Sequence, residues 1–390
     1  MKVAVVFSSL PAEGGGGHTF ERSLRSGLDE LSAESRHEFV TFVPGGGQPG
    51  EVPIRRTRRD GFRKVGRRGL LTAQDRMGMP RAAWRTSFQR TLDERGIDFV
   101  WFASFYFEEC EQPHMATVWD LAHLEYPWFP EFGSRGQWER RQAFFERYLK
   151  RSARIVVPNA ALTDLLTNAY GAPRGRIVEI PFATPEWALD PPSTDDDEVL
   201  RRHGIEEPYL LYPAQFWAHK NHTTALEVVS ELRGAGEETQ LVLVGSDQGT
   251  EAHVRARASA LRLSERVHFL GFVDQADLVS LYRRAHALLY LSFLGPANLP
   301  PLEAGALGCP IVCADVTGMR LQLGEAALFA PPTDVGAIAG AVRTLRDPGT
   351  RDSLTAAGRE LAGGLTARGY VGRVLEELDA FERVRATWRH

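Results

Sequence analysis

In the stretch Asn298-Leu299-Pro300-Pro301-Leu302-Glu303-Ala304-Gly305-Ala306-Leu307-Gly308-Cys309-Pro310, one carboxylate, Glu303, opens a helix of small residues directly after a loop stiffened by two prolines. The N-terminal end of a helix attracts anions through its unpaired backbone N–H groups. A carboxylate set there competes with a bound anion, so its natural use is to accept hydrogen bonds from ligand hydroxyls while the N–H groups of Ala297, Asn298 and Leu299 face phosphate. That combination suits a ligand carrying both hydroxyls and a diphosphate, such as a nucleotide sugar. The same residues also read as a plain strand–loop–helix corner, with Glu303 capping its helix and Gly308 and Pro310 ending it.

A second group with chemistry follows the strand Tyr209-Leu210-Leu211-Tyr212-Pro213, in Ala214-Gln215-Phe216-Trp217-Ala218-His219-Lys220-Asn221. A loop between a strand and a helix is where open α/β sheets bind ligands. Lys220 is the only lysine after Lys150 in a chain that otherwise draws its positive charge from arginine, and a compact ammonium suits a point contact with a leaving diphosphate. A third group, Gly14-Gly15-Gly16-Gly17-His18, follows the strand Val3–Phe7 and leads into a helix, so backbone N–H groups can approach a ligand without Cβ interference. It is not a strict Gly-x-Gly-x-x-Gly fingerprint, and no acidic residue ends a second strand at the spacing a dinucleotide requires. In Trp119-Asp120-Leu121-Ala122-His123, Asp120 can orient a reacting group and His123 can hydrogen-bond a substrate, although a core histidine fits equally.

The elements that must hold these groups alternate. Strands are expected at Val3–Phe7, Phe99–Ala103, Ala116–Trp119, Ile155–Val157 and Ile177–Ile180, with helices at 19–31 and 161–170. A second series begins at Tyr209 and runs through strands Leu241–Val244, Val267–Leu270, Ala287–Leu291 and Pro310–Ala314, separated by helical stretches. This pattern implies α/β structure with two doubly wound parallel sheets. The expected division is a first domain over 1–185, a Pro-rich acidic linker over 186–206, a second domain over 207–369, and a final helix over 370–390 whose Val371, Val374, Leu375, Leu378 and Phe381 need a surface to cover.

At 390 residues the chain is too long for one ordinary core, and its 43% hydrophobic and 25% charged residues are those of a globular enzyme. Cys110, Cys309 and Cys313 form neither a disulfide framework nor a metal spacing, which points to a cytoplasmic protein. The apolar run after Lys2 is too short for a signal peptide, and prolines together with Glu303 interrupt the apolar region 285–314, so no transmembrane helix is expected. Asp195-Asp196-Asp197 imitates an Asp-x-Asp metal motif but sits in the expected linker, where it reads as solvated. Residues 1–190 carry 26 basic against 24 acidic side chains, and residues 191–390 carry 20 against 26. The basic excess is local, in Arg55, Arg56, Arg58, Arg59, Arg63, Lys64, Arg67 and Arg68, with Asp60 the only acid among them.

The glycine loop, Lys220 and the block around Glu303, in that chain order, resemble the retaining GT-B glycosyltransferases of family 4, the glycosyl transferases group 1 type, over essentially the whole chain. The resemblance implies two Rossmann-like domains facing across a cleft, with the C-terminal helix crossing back to the first. It implies transfer of a sugar from a nucleotide-diphosphate sugar, bound by the second domain, to a hydroxyl of a saccharide or lipid-linked acceptor, bound by the first, with retained configuration and no metal or other cofactor. Catalysis would fall to Lys220, Glu303, Asp120 and His123. Donor binding would fall to Gly16, Gly17, Gln215, Lys220, Phe272, Val273, Ala297, Asn298, Leu299 and Glu303, with the backbone at Phe272 and Val273 reading the base and Glu303 the ribose. The acceptor would meet His18, Trp119, Arg55, Arg56, Arg58 and Arg59, the basic segment also suiting an anionic acceptor or a peripheral contact with an anionic membrane; no nucleic-acid partner is expected. The chain departs from the family's pattern at three positions: Gln215 stands where an arginine is usual, Gly295 replaces the first motif glutamate, and Trp119 occupies the place of the family histidine. These departures leave one rival, a degenerate GT-B subunit that binds nucleotide without catalysis, and the shared fold leaves another, a nucleotide-sugar epimerase.

Overall fold

The computed structural model describes residues 1–8, 10, 15–46, 49–55 and 86–388. The first strand, β1 (Lys2–Val6), is buried from Val3 to Val6, as expected of a strand covered on both faces. It pairs in parallel with β2 (Glu38–Pro44) on one side and β4 (Phe99–Phe102) on the other. With β3 (Val52–Ile54), β5 (His114–Thr117), β6 (Ser152–Val157) and β7 (Ile177–Glu179), these form a seven-stranded sheet ordered β3-β2-β1-β4-β5-β6-β7. The second lobe repeats the plan: β8 (Tyr209–Pro213), β9 (Gln240–Val244), β10 (Val267–Gly271), β11 (Ala287–Tyr290), β12 (Ile311–Ala314) and β13 (Ala327–Ala330) lie in the order β10-β9-β8-β11-β12-β13. Every pairing between these strands is parallel.

Strand order reverses at β1/β4 in the first sheet and at β8/β11 in the second. At each reversal the loops after the carboxyl ends diverge and leave a crevice. The glycine loop follows β1, the Lys220 loop follows β8, and the loop before Glu303 follows β11, so the three groups singled out in the sequence all leave strand ends at or beside a reversal.

The C-terminal helix, Ala367–Arg385, crosses back as expected. Its Val371, Val374, Leu378 and Phe381 are buried with Val3, Val5, Leu24 and Phe99 in the core of the first lobe. The contact with helix Gly16–Ser32 is close enough that a Cβ at Gly27 would lie 2.7 Å from the Ala367 carbonyl oxygen.

Three expectations change. Segment 186–206, expected as a Pro-rich acidic linker, carries helices Glu186–Leu189 and Asp196–His203. Asp195 caps the second of these by accepting from Glu198 N at 3.0 Å, and Asp196 accepts from Ser280 Oγ at 2.8 Å, so the acidic run serves as a helix start docked on helix Gln275–Arg284. The helix carrying Glu303 begins earlier than expected, at Leu299, with Asn298 as its N-cap. Pro300 and Pro301 sit inside the first turn, where a missing N–H costs nothing. Finally, β2, β3 and β13 go beyond the expected strands: β3 is three residues long, and β13, Ala-Leu-Phe-Ala, alternates too weakly to announce itself.

Candidate active site

The lobes enclose a cavity of about 470 Å³. Its first-lobe wall is the glycine loop with Trp119 and Asp120, and its second-lobe wall includes Gln215, Lys220, Ser246, Phe272, Val273 and the turn Gly295–Pro300 ahead of Glu303. Gly15 adopts φ 65°, and a Cβ there would lie 3.6 Å from the Gln215 side chain across the cleft. Gly17, in the first turn of helix Gly16–Ser32, passes close to both side chains beside it: a Cβ there would lie 2.7 Å from Leu10 Cδ1 and 3.3 Å from Trp119. Gly16, Gly17 and His18 all line the cavity, His18 anchored by Nδ1 donating to Leu10 O at 2.8 Å.

Lys220 ends a short turn, Ala218–Lys220, that the left-handed conformation of Asn221 (φ 58°) closes. Asn221 Nδ2 ties this turn to Leu291 O at 3.2 Å and Pro332 O at 2.8 Å, while Tyr212 OH donates to the Lys220 carbonyl. The ammonium donates to Tyr290 OH at 2.8 Å, and Tyr290 OH in turn donates to Asn298 Oδ1 at 2.8 Å. Burial brings the Lys220 pKa down to about 8, against the pull of the Asp120 and Glu131 carboxylates.

Glu303 is 7% exposed, and its Oε2 accepts from Tyr282 OH at 2.7 Å. It lies one turn inside its helix and makes no cap, so both the expected position at the helix start and the capping role give way to a pocket-lining carboxylate held by a tyrosine. Burial raises its pKa to about 7, the Tyr282 bond working in the opposite direction. The expected phosphate-facing amides need one revision. Asn298 N is taken by Gln322 Oε1 at 2.9 Å, and Gln322 Nε2 returns a bond to Asn298 O at 2.7 Å, so Asn298 turns its backbone to a positioning partner and its side chain to Tyr290. Ala297 and Leu299 line the cavity with it.

Gln215 donates to Ser246 Oγ at 3.1 Å and accepts from Trp217 Nε1 at 3.1 Å, an oriented neutral group where a positive one is usual. Phe272, 66% exposed, and Val273 form the rim beyond β10. A Cβ at Gly295 would lie 2.6 Å from Asn298 Nδ2 and 2.9 Å from Met319 Sδ, so a larger residue there requires those two side chains to shift.

Asp120 lines the cavity, its carboxylate accepting from Ala122 N at 2.9 Å and pairing with Arg141. Trp119 faces the glycine loop and packs edge-on against Phe20 at 5.4 Å. His123 does not join them. It is fully buried, stacks on Phe145 at 5.4 Å, shares Nε2 with Tyr170 OH at 3.0 Å, and is held by burial at a pKa of about 4. The helix Ala122–Glu125 turns its ring inward, and the expected substrate contact is replaced by a core histidine. Arg55 is exposed outside the cavity lining, its carbonyl accepting from Ser87 Oγ. Arg56, Arg58 and Arg59 lie outside the described residues.

Sequence reasoning passed over Tyr282 and Tyr290, the hydroxyls that hold Glu303 and Lys220. The available signal was a tyrosine at the carboxyl end of the strand that feeds the Gly295–Asn298 loop. Among the described residues, the one grouping of three metal-capable side chains, His37, Asp379 and Glu382, lies outside this cavity and is already paired with Arg36 and the Met1 amino group.

Residues 195–361 match the family described as glycosyl transferases group 1. O-antigen chain mannosyltransferase B of Escherichia coli is 40% identical over 223 residues, 54% of this chain and 58% of that protein. Mannosylfructose-phosphate synthase of Agrobacterium fabrum is 27% identical over 236 residues, 57% of this chain and 52% of that one. The chain spans about half the length of the curated relatives it matches. Among solved structures, sucrose-phosphate synthase from Thermosynechococcus elongatus superposes with a TM-score of 0.71 at 19% identity, covering 97% of this chain and 99% of that one. Anabaena HepE in complex with UDP-glucose superposes at 0.69 with 15% identity, covering 97% and 100%. At those identities the likeness carries the fold alone. Residues 195–361, in the second lobe, thus match the glycosyl transferases group 1 family, and the chain has the two-lobed, parallel-sheet fold seen in GT-B glycosyltransferase structures.

Proposed function

We propose that this protein is a retaining, metal-independent glycosyltransferase of the family 4 kind that moves a sugar from a nucleotide-diphosphate sugar to an acceptor hydroxyl. The observation that carries the reading is the convergence of Lys220, the turn ahead of Glu303 and the bare glycine loop on one interlobe cavity. In this reading the diphosphate lies against the Lys220 ammonium and the Leu299 amide, and the ribose hydroxyls meet Glu303. The bond from the anomeric carbon to the diphosphate opens as the acceptor hydroxyl bonds to the same face, and the hydroxyl proton passes to a diphosphate oxygen. Charge on the departing group is met by Lys220, with Gln215 adding only a neutral dipole. Closure of the lobes excludes water and limits hydrolysis of the donor.

The likeness to O-antigen chain mannosyltransferase B makes mannosyl nucleotides the first donors to test and a growing polysaccharide the first acceptor class. Incubation with a panel of nucleotide sugars, with and without acceptor extract, is expected to give a product only when acceptor is present, with the donor's anomeric configuration by NMR. Lys220→Ala and Glu303→Ala are expected to lower the rate by about a hundredfold or more while the fold survives. Donor conversion without acceptor would instead identify an epimerase. The close packing around Gly295 and the neutral Gln215 favour one second reading, a nucleotide-binding subunit without catalysis, which predicts donor binding and no turnover. Peripheral contact with an anionic membrane through the basic segment, whose residues Arg56 to Arg68 lie outside the described ones, is tested by pelleting with anionic liposomes; no binding at low salt removes it.

A further inference from the structure

Glu131 has no part in the chemistry described above, yet it reaches the catalytic turn from the opposite lobe. It sits in the short helix Pro130–Gly133, between β5 and β6 of the first lobe, whereas His219 belongs to the turn that presents Lys220 in the second. One oxygen, Oε1, accepts two hydrogen bonds from the same residue: His219 N at 2.9 Å and His219 Nδ1 at 2.5 Å. Both side chains are enclosed, 8% and 7% exposed for His219 and Glu131. Aromatic rings seal the contact, with Phe132 at 5.1 Å and Phe129 at 6.3 Å from the imidazole, and Phe129 packed on Phe293 at 5.5 Å.

We propose that Glu131 is a positioning residue for sugar transfer: its carboxylate grips the His219 turn across the closed cleft and so sets the Lys220 ammonium against the leaving diphosphate. The inference rests on the transfer reading of the site. A carboxylate taking two donors from one residue fixes the backbone of the turn as well as the ring, which a single contact would not. Lobe opening must break both bonds at once, so the turn is held in its working position only when the cleft is shut to water.

The same carboxylate also faces the Lys220 charge. From the first lobe Lys220 meets Asp120, itself paired with Arg141, and Glu131; from its own lobe it meets His219, His222, and the hydroxyls of Tyr290 and Ser292. Glu131 is therefore one of two acidic groups that favour the ammonium against burial. Removing it takes the Lys220 pKa further down.

The test uses the full chain with Glu131→Ala and Glu131→Gln. Glu131→Ala is expected to leave the donor KM within about threefold while kcat falls about tenfold, to raise the ratio of donor hydrolysis to transfer, and to move the alkaline limb of the kcat profile to lower pH. Glu131→Gln still accepts from His219 N, so it recovers part of the kcat but none of the alkaline limb. A purely structural contact would move neither the hydrolysis ratio nor the limb, and unchanged values in folded Glu131→Ala overturn the proposal. Closure is read without turnover by spin labels on Lys150→Cys and His253→Cys, with UDP or GDP present. The interlobe distances are expected to broaden in Glu131→Ala, and an unchanged distribution sinks the latch. Wild type that turns over no donor contradicts the transfer reading alone, since the label distances still decide the latch.

Discussion

Burial shifts Lys220 and Glu303 in opposite directions, and the two shifts bracket a narrow range of pH. Glu303 becomes a carboxylate as pH rises through about 7, and Lys220 loses its ammonium as pH passes about 8. A donor site needing both charges should give a bell-shaped kcat/KM profile with its top between those values, measurable with any active donor; a profile from pH 6 to 9 that lacks one limb would remove the matching group from the mechanism, and a flat one would remove both. The same shift has a cost in stability. The folded-state pKa of Glu303 is raised, so the folded protein binds the proton more tightly than the unfolded chain, and stability falls as pH rises from about 4.5 to about 7. Glu303→Gln, which cannot ionise, should therefore gain melting temperature over wild type at pH 8 and show little gain at pH 4.5, while losing activity at pH 8, where the wild-type carboxylate is ionised. At this scale Lys220 was legible because it is chemically unusual in its chain. His123 was not, because nothing in the spacing of Asp120 and His123 tells which side of a four-residue helix turns to the core.

The alternation of apolar strands and helices gave most of the elements directly, since buried parallel strands such as Leu241–Val244 and Ile311–Ala314 are continuous apolar runs. Boundaries were harder where two signals compete. Prolines usually mark a loop, but at Pro300 and Pro301 they occupy a first helical turn, which moved Glu303 from the start of the helix to its interior. The acidic run Asp195–Glu198 read as solvated because Pro191 and Pro192 precede it, and only the contact of Asp196 with Ser280 reveals a docked helix. The crossing of Ala367–Arg385 over Gly16–Ser32 depends on a bare Gly27. Gly27→Leu should destabilise the first lobe by about 1–3 kcal/mol in denaturant unfolding, through overpacking against the Ala367 carbonyl; an unchanged midpoint would mean the two helices separate freely.

For the whole molecule, two doubly wound sheets follow from the order of elements, but the way the lobes face each other does not. That arrangement rests on contacts between residues far apart in the chain: Asn159 Nδ2 donating to Pro296 O and to Gly318 O, Arg22 Nη2 donating to Gln275 Oε1 at 3.3 Å, and Glu131 on His219. No spacing in the sequence announces such pairs, and together they bring the glycine loop to within reach of Gln215. Among the described residues no helix is long and apolar enough to cross a membrane. The measurement that tests the cleft most directly is a crystal structure with a bound nucleotide-diphosphate sugar. The diphosphate is expected beside Lys220 Nζ and the Leu299 amide, with the ribose on Glu303 and the sugar pointing to the glycine loop. A donor seated elsewhere, with Lys220 still bonded only to Tyr290 and Ser292, would contradict the account.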